Sequence, residues 1–362
     1  MTLERTWKKI LRRKGLSLWH IPAIGLWAAS LVYRVGARIK APAPDEIERV
    51  DLPVLSVGNI TVGGTGKTPM VALIASRLIR DEIRVGIVSS GWGRKDTTPF
   101  VEAGYRVPHL SVDRTGDEVM LLAELLPEAW FSVHSVKAEA ARALAATGEI
   151  DMIIVDDGFQ HRRLHRDLDL VTYDGAVTRR FLHMFPYGLL REPIRSLKRA
   201  DIVVITRANF SPDLSDLRKR LGRINPNLSL YQAQFGTGEL IGRSRRLPEK
   251  YLEDKSVFLF AGVGNFKPLR KQVQALSGDL DYALELSDHQ QYDSELLGRI
   301  KRMADEADSD VIVTTGKDWV KLGDFDFGRE IYYLSQTVDL DPGEEKLIAQ
   351  IVDQLQLEKR SD

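Results

Sequence analysis

The chain contains no cysteine, which excludes disulfides, cysteine nucleophiles, thiolate zinc sites and iron–sulfur clusters at once. It also lacks net charge: fifty-one lysines and arginines balance fifty-one aspartates and glutamates. A protein that coats nucleic acid or binds polyanions over its whole surface is therefore not expected. There is no Cys/His metal cluster, no Gly-x-Ser-x-Gly nucleophile elbow, no repeat of solenoid period and no low-complexity tract. What remains is ordinary globular composition, 43% apolar and 28% charged, over 362 residues, a length comfortable for two domains.

The strongest local pattern begins at Val54. A short apolar strand, Val54-Leu55-Ser56-Val57, runs into Gly58-Asn59-Ile60-Thr61-Val62-Gly63-Gly64-Thr65-Gly66-Lys67-Thr68, and Pro69 opens an apolar helical run. Strand, glycine-rich loop, Gly-Lys-Thr and helix is the context a phosphate-binding loop requires. Residues 61–68 are the candidate nucleotide contacts: backbone N–H groups turn onto phosphate oxygens, Lys67 reaches the β- and γ-phosphates and the Thr68 hydroxyl ligates magnesium. Thr61 stands where the first glycine of the pattern usually sits, and Gly63-Gly64 supply the flexibility instead. A second apolar run, Met152-Ile153-Ile154-Val155, ends in Asp156-Asp157, where such proteins hold magnesium or its waters. No Asn-Lys-x-Asp occurs, so ATP with Mg²⁺ is the expected nucleotide rather than GTP.

Long hydrophobic runs are scarce. Leu16 to Tyr33 carries no formal charge, but its eighteen residues are interrupted by Ser17, His20, Pro22, Gly25 and Ser30, and a span needs about 20 mostly apolar residues. Arg5, Lys8, Lys9, Arg12, Arg13 and Lys14 precede it and Arg34, Arg38 and Lys40 follow, without the one-sided asymmetry of a simple span. The basic-then-apolar order also fits a secretory signal, but the nucleotide site belongs where ATP is. Residues 1–40 read as an interfacial helix, with Trp19, Trp27 and Tyr33 at the headgroup boundary and the cations on anionic lipid. A helix packed on its own domain is the alternative.

Several further segments carry a resemblance. GDEVMLLA (116–123), VDDGFQHRRLHRDLDL (155–170), GLLREPIRSLKRADIVVITR (188–207), FAGVGNF (260–266), DHQQY (288–292) and VTTGKDWVKL (313–322), together with the phosphate loop, resemble the tetraacyldisaccharide 4′-kinases of lipid A biosynthesis. The resemblance implies transfer of the ATP γ-phosphate to the 4′-hydroxyl of an acylated glucosamine disaccharide 1-phosphate. It also implies work at the cytoplasmic face of the inner membrane of a Gram-negative-type bacterium, with no nucleic acid and no obligate protein partner. Three positions depart from the family: Gln290 replaces a second histidine, Gly316 a glutamate and Ser90 an arginine. A P-loop ATPase switch that binds a partner without phosphorylating it is the rival reading.

By the same resemblance, Asp117 accepts the hydroxyl proton with His289 as its partner, and Glu192 is an additional magnesium carboxylate. Gln160, His161 and Arg191 match site residues that contact substrate or phosphate. Each has a plain alternative from the residues alone. Asp117 caps a helix, His289 is a loop residue, Glu192 precedes a proline, and His161-Arg162-Arg163 is a solvated basic turn.

Strand-like runs at 54–57, 84–89, 150–155, 167–173 and 201–206 alternate with helical patterns at 69–80, 117–126 and 136–147. This predicts an α/β fold, a P-loop NTPase-type, mostly parallel sheet with helices on both faces over 41–235. A linker at 236–248 and a second, smaller α/β domain over 249–362 follow. The site is expected in the cleft between halves, Asp117 from one and His289 from the other, completed by closure.

Overall fold

The computed structural model describes residue 7 and residues 20–39, 42–211, 213–288 and 290–357. The basic residues of the 5–14 run, Trp19 and His289 lie outside the described residues. Contacts divide the chain into two compact units. One comprises the described parts of Met1–Val88, Val136–Gln234 and Asp339–Asp362; the other comprises Ser89–Ser135 and Phe235–Val338.

In the first unit the strands Val54–Asn59, Met152–Asp156, Leu168–Asp174 and Ile202–Thr206 are buried along their whole length. Near-continuous apolar runs of this kind need both sheet faces covered, and a parallel sheet supplies that. The 54–59 strand pairs parallel with 152–156 on one side and 168–174 on the other. The sheet continues in parallel from 152–156 to Val85–Ser89, and from 168–174 through 202–206 to the start of Ser229–Ile241. The helix Lys67–Arg80 buries Met70, Val71, Ile74, Ala75 and Leu78, the i, i+4, i+8 stripe that its sequence shows.

The second unit contains Ser256–Ala261 between parallel neighbours Asp279–Glu285 and Val311–Thr314, with Glu330–Asp341 beyond the latter. Side chains alternate along the central strand. Val257, Leu259 and Ala261 join one core with Val273, while Phe258 and Phe260 join another with Ile300 and Phe327. Segment 89–135 contributes an antiparallel pair, Phe100–Ala103 with Trp130–Val133, and the helix Asp117–Leu125.

Both units are thus mostly parallel α/β, as expected, but their boundaries differ from the expected contiguous halves. Residues 89–135 belong with the described parts of 235–338, so Asp117 shares a unit with Asp288 and Gln290 rather than facing them from another half. The helix Glu344–Leu355 belongs to the first unit, where Glu344 lies 3.9 Å from Arg77. The 236–248 stretch is not a linker. The strand Ser229–Ile241 runs into it and Arg246–Leu247 pairs back on it. Its glycines mark close approach: a Cβ on Gly236 would lie 2.7 Å from the Thr337 hydroxyl oxygen.

One close approach positions the candidate site. A Cβ on Gly58 would lie 2.5 Å from Phe159 Cβ and 2.7 Å from its backbone nitrogen, so the turn after Asp157 sits directly on the strand that enters the phosphate loop. Backbone cannot give way as a flexible side chain can. Gly58→Ala should therefore destabilise the fold by about 1–3 kcal/mol, read from urea or guanidinium unfolding; an unchanged midpoint would contradict this packing.

Candidate active site

The phosphate loop is anchored from beneath. Asn59 Nδ2 donates to the Thr61 carbonyl (2.7 Å) and to Thr65 Oγ1 (2.9 Å), and Thr65 Oγ1 is 2.9 Å from Thr172 Oγ1 on the neighbouring strand. Gly63 at φ 103° and Gly66 at φ 81° adopt the left-handed conformations that side chains disfavour. Added Cβ atoms at Gly63 and Gly64 would meet open space, so the loop's upper side is accessible. Gly66 caps the helix that starts at Lys67, whose first-turn N–H groups lack intrahelical partners and favour anions.

The loop's first part is engaged differently from expectation. The Val62 N–H donates to the Leu189 carbonyl (2.7 Å) and the Arg191 N–H to the Ile60 carbonyl (2.8 Å). Thr61 is buried and bridges Leu190. Thr61 and Val62 therefore tie the loop to segment 189–191, and the amide of Val62 is already spent on a carbonyl. Residues 63–68 remain as the candidate cradle.

That tie carries Arg191 to Asp157, whose Oδ1 and Oδ2 accept from Arg191 Nη1 at 2.9 and 2.8 Å. Lys67 Nζ lies 3.3 Å from Asp157 Oδ1. Asp157 itself is at φ 53°, a left-handed conformation that Asp tolerates better than most residues. The turn is held from within by Lys137, whose ammonium donates to the carbonyls of Asp156 and Asp157. Burial alone would raise the Asp157 carboxyl. The charges of Lys67, Arg191 and Lys137 outweigh it and hold the group well below the usual carboxylate range.

Glu192 accepts from Arg199 (3.0 Å), whose guanidinium lies 4.5 Å from the centre of the Phe159 ring. Gln160 Nε2 donates to the Asn59 carbonyl (2.8 Å) and so fastens the turn to the loop strand. His161 is exposed.

Of the four oxygen donors expected for magnesium, Asp157 and Glu192 are thus committed to cations. Asp156 is buried at its strand end, with Val57 of the loop strand as its register partner, and Thr68 sits in the first helical turn. Among the described residues, no group of three or more His, Asp or Glu side chains is placed so that it could hold a metal ion. A small hard cation held by one or two protein oxygens plus substrate phosphates fits this donor set, whereas an all-protein cage does not.

The second unit carries its own charged cluster. Asp117 opens the helix Asp117–Leu125 after Gly116 at φ 80°, and Lys321 Nζ lies 3.5 Å from Asp117 Oδ2 and 3.7 Å from Asp318 Oδ1. Asp318 is fully buried. Its carboxylate accepts from the Gly262 N–H (3.0 Å), Thr315 Oγ1 (2.7 Å) and the Tyr292 hydroxyl (2.8 Å). Burial and the Asp318 carboxylate push the Tyr292 hydroxyl up. Lys317 pairs with Glu118. Burial disfavours the Lys317 charge, but Glu118, Asp117 and Asp288 overcome it and raise the group. Gly316 has a packing reason, since a Cβ there would lie 2.9 Å from a Leu121 methyl.

Residues of these clusters that were not anticipated include Lys137, Tyr292, Asp318 and Lys321. Tyr292, Asp318 and Lys321 lie inside segments already matched, DHQQY and VTTGKDWVKL, without any chemistry attached. Lys137 carries no sequence signal. Burial pushes its ammonium down to about 8 from an ordinary 10.5, so between about pH 8 and 10 the unfolded chain holds more protons and stability from this residue rises. The neutral amine keeps two N–H donors for its two carbonyls. The unfolding free energy of the wild type relative to Lys137→Met should therefore increase from pH 8 to pH 10; a flat difference would remove the buried-ammonium assignment.

The sequence profile of the tetraacyldisaccharide-1-P 4′-kinases matches residues 22–356. Tetraacyldisaccharide 4′-kinase of Geobacter metallireducens is 35% identical over 300 residues, covering 81% of this chain and 87% of its own. That of Syntrophus aciditrophicus is 35% identical over 339 residues, covering 86% and 90%. A crystal structure of LpxK from Aquifex aeolicus in complex with ATP superposes with a TM-score of 0.71 at 26% identity, covering 92% of this chain and 99% of that one. With a profile match across almost its whole length, the chain belongs to the tetraacyldisaccharide-1-P 4′-kinase family.

Proposed function

We infer that this chain transfers the γ-phosphate of ATP to the 4′-hydroxyl of a tetraacyl glucosamine disaccharide 1-phosphate, giving the 1,4′-bisphosphorylated lipid A precursor. The observation that carries the reading is the anchored phosphate loop, with Lys67 beside the Asp156-Asp157 turn, in a chain of this family. Residues 63–68 and the helix N-terminus bind the β- and γ-phosphates, and Lys67 neutralises charge that builds as the bond to the leaving ADP breaks. Thr68 and Asp156 would hold Mg²⁺, which would supply further charge neutralisation on the phosphate oxygens. Asp157 orients Lys67 and Arg191. The sugar hydroxyl oxygen forms the new bond to phosphorus, and its proton passes to Asp117, with His289 as the partner group. Gln160 acts through the turn it fastens, and His161 and Arg191 are candidate phosphate contacts.

The same proposal extends to a lipid surface. In the helix His20–Ile39, Ile24, Trp27, Leu31 and Val35 are exposed at i, i+3, i+7 and i+11, with Val32 also exposed. No helix among the described residues is long and apolar enough to cross a membrane. The helix packs within the first unit through Tyr33, whose ring lies 5.7 Å from that of Phe185, and Trp7 approaches the same ring at 5.8 Å. This exposed stripe, with the basic residues that flank it in the sequence, supports peripheral association with an anionic lipid surface, and the need for ATP supports the cytoplasmic face of the inner membrane as that surface.

Two measurements test the reading. With labelled ATP, Mg²⁺ and the acylated disaccharide 1-phosphate in detergent, label should appear in the lipid, and Lys67→Ala should lower that turnover by at least about 100-fold with an unchanged circular dichroism spectrum. Label found only as free phosphate would instead indicate an ATPase. Deleting residues 1–38 should leave ATP binding intact while abolishing co-sedimentation with anionic vesicles; undiminished co-sedimentation would refute the surface anchor.

A further inference from the structure

We propose that Lys321 is a positioning residue for Asp117, an ammonium clamped between two carboxylates that fixes the direction in which Asp117 offers its oxygens. The inference rests on the reading of Asp117 as the proton acceptor.

The clamp is built from its buried end. Asp318 is held by three donors from three separate segments: the Gly262 N–H, Thr315 Oγ1 and the Tyr292 hydroxyl. A carboxylate with that many partners cannot rotate, so Asp318 is a fixed negative charge in a site without solvent. Lys321 lies 3.7 Å from it, with the Tyr292 ring centre 5.6 Å from the ammonium. The side chain of Lys321 is only 6% exposed, so water does not set its position. Its second anionic neighbour is Asp117 Oδ2 at 3.5 Å, on a side chain 8% exposed.

A buried ion pair is a weak source of stability, because desolvation offsets much of the attraction. A geometric role is the more informative account of why an ammonium stands here. Fixing Oδ2 fixes the carboxylate plane, and hence the path along which Asp117 meets a hydroxyl proton. Reaction geometry is sensitive to errors of an ångström. Lys321 exchanges no proton in the step: the hydroxyl proton goes to Asp117 and the ammonium stays as it is.

Among the described residues, two further charged groups stand near Asp117. Glu118, next on the same helix, is neutralised by Lys317, and the charge of Lys317 is supported by Glu118, Asp117 and Asp288. Lys321 is shared with Asp318. Removing Lys321 therefore leaves Asp117 and Asp318 with one ammonium fewer between them.

The experiment compares Lys321→Met, Lys321→Arg and Asp117→Asn in the full chain, with labelled ATP and the acylated disaccharide 1-phosphate in detergent. Lys321→Met should lower kcat by about 10- to 100-fold, with the KM for ATP within about threefold of wild type. Its acid limb of kcat against pH should move to higher pH, because a carboxylate that loses a neighbouring cation protonates more readily. Lys321→Arg should restore the acid limb and most of kcat. Should Lys321→Met fail to fold, as judged by thermal melting, Lys321→Gln removes the same charge and is read in the same way. An unchanged kcat and acid limb on charge removal would overturn the clamp. So would a loss of kcat with an unmoved acid limb and no recovery in Lys321→Arg, which marks a merely structural role. Asp117→Asn separates the two levels. If it is inactive while Lys321→Met is normal, the clamp alone fails; if it is active, the acceptor assignment fails and the clamp with it.

Discussion

The chemistry of the first unit depends on one turn, Asp156-Asp157, and on the cations gathered around it. Lys67 and Arg191 are like charges that would repel at this separation. The Asp157 carboxylate, 3.3 Å from one and 2.8 Å from the other, makes their company favourable. Its backbone sits in a left-handed conformation, a departure worth on the order of 1–3 kcal/mol that persists only where surroundings over-determine it. Lys137 does so from below through two carbonyls, Gly58 from the side by leaving room for Phe159, and Gln160 through the Asn59 carbonyl. The phosphate loop and the acidic turn are therefore one rigid object.

The second unit inverts that arrangement. There a single ammonium, Lys321, stands between two carboxylates, and the deeper carboxylate is saturated with hydrogen bonds. Burial decides how much such pairs matter. An exposed pair such as Lys95–Asp113, with side chains 64% and 50% exposed, contributes about 0–1 kcal/mol. Removing one partner of a buried cluster leaves an uncompensated charge, at a cost of about 3–5 kcal/mol. The fully buried Asp318 cluster lies at that end, whereas the Asp157 carboxylate, 32% exposed, falls between the two, its pairs with Lys67 and Arg191 partly screened by solvent.

What could be read directly from the chain were the features formed by consecutive residues. The strand–loop–helix around Gly63–Thr68, the apolar strands and the acidic turn are each specified within a dozen residues. Glycine placement there answers a local need, as Gly63 at φ 103° and Gly66 at φ 81° show. The same locality misled at 236–248, where glycine, arginine and serine suggested a linker. In the fold those glycines admit Thr337 and Ser335 against a strand, a requirement that only the partner strand imposes.

Sequence by itself determined the parallel α/β class, the phosphate loop, the Asp156-Asp157 turn and, through matched segments, the family. Tertiary structure alone decided that 89–135 joins 235–338, that Val62 donates its amide to Leu189, that Lys137 donates to the Asp156 and Asp157 carbonyls, and that Lys321 lies between the Asp117 and Asp318 carboxylates. The reason is physical. Backbone conformation and apolar periodicity are set by neighbours along the chain, whereas a buried charge acquires its partner only when distant segments close around it and exclude water.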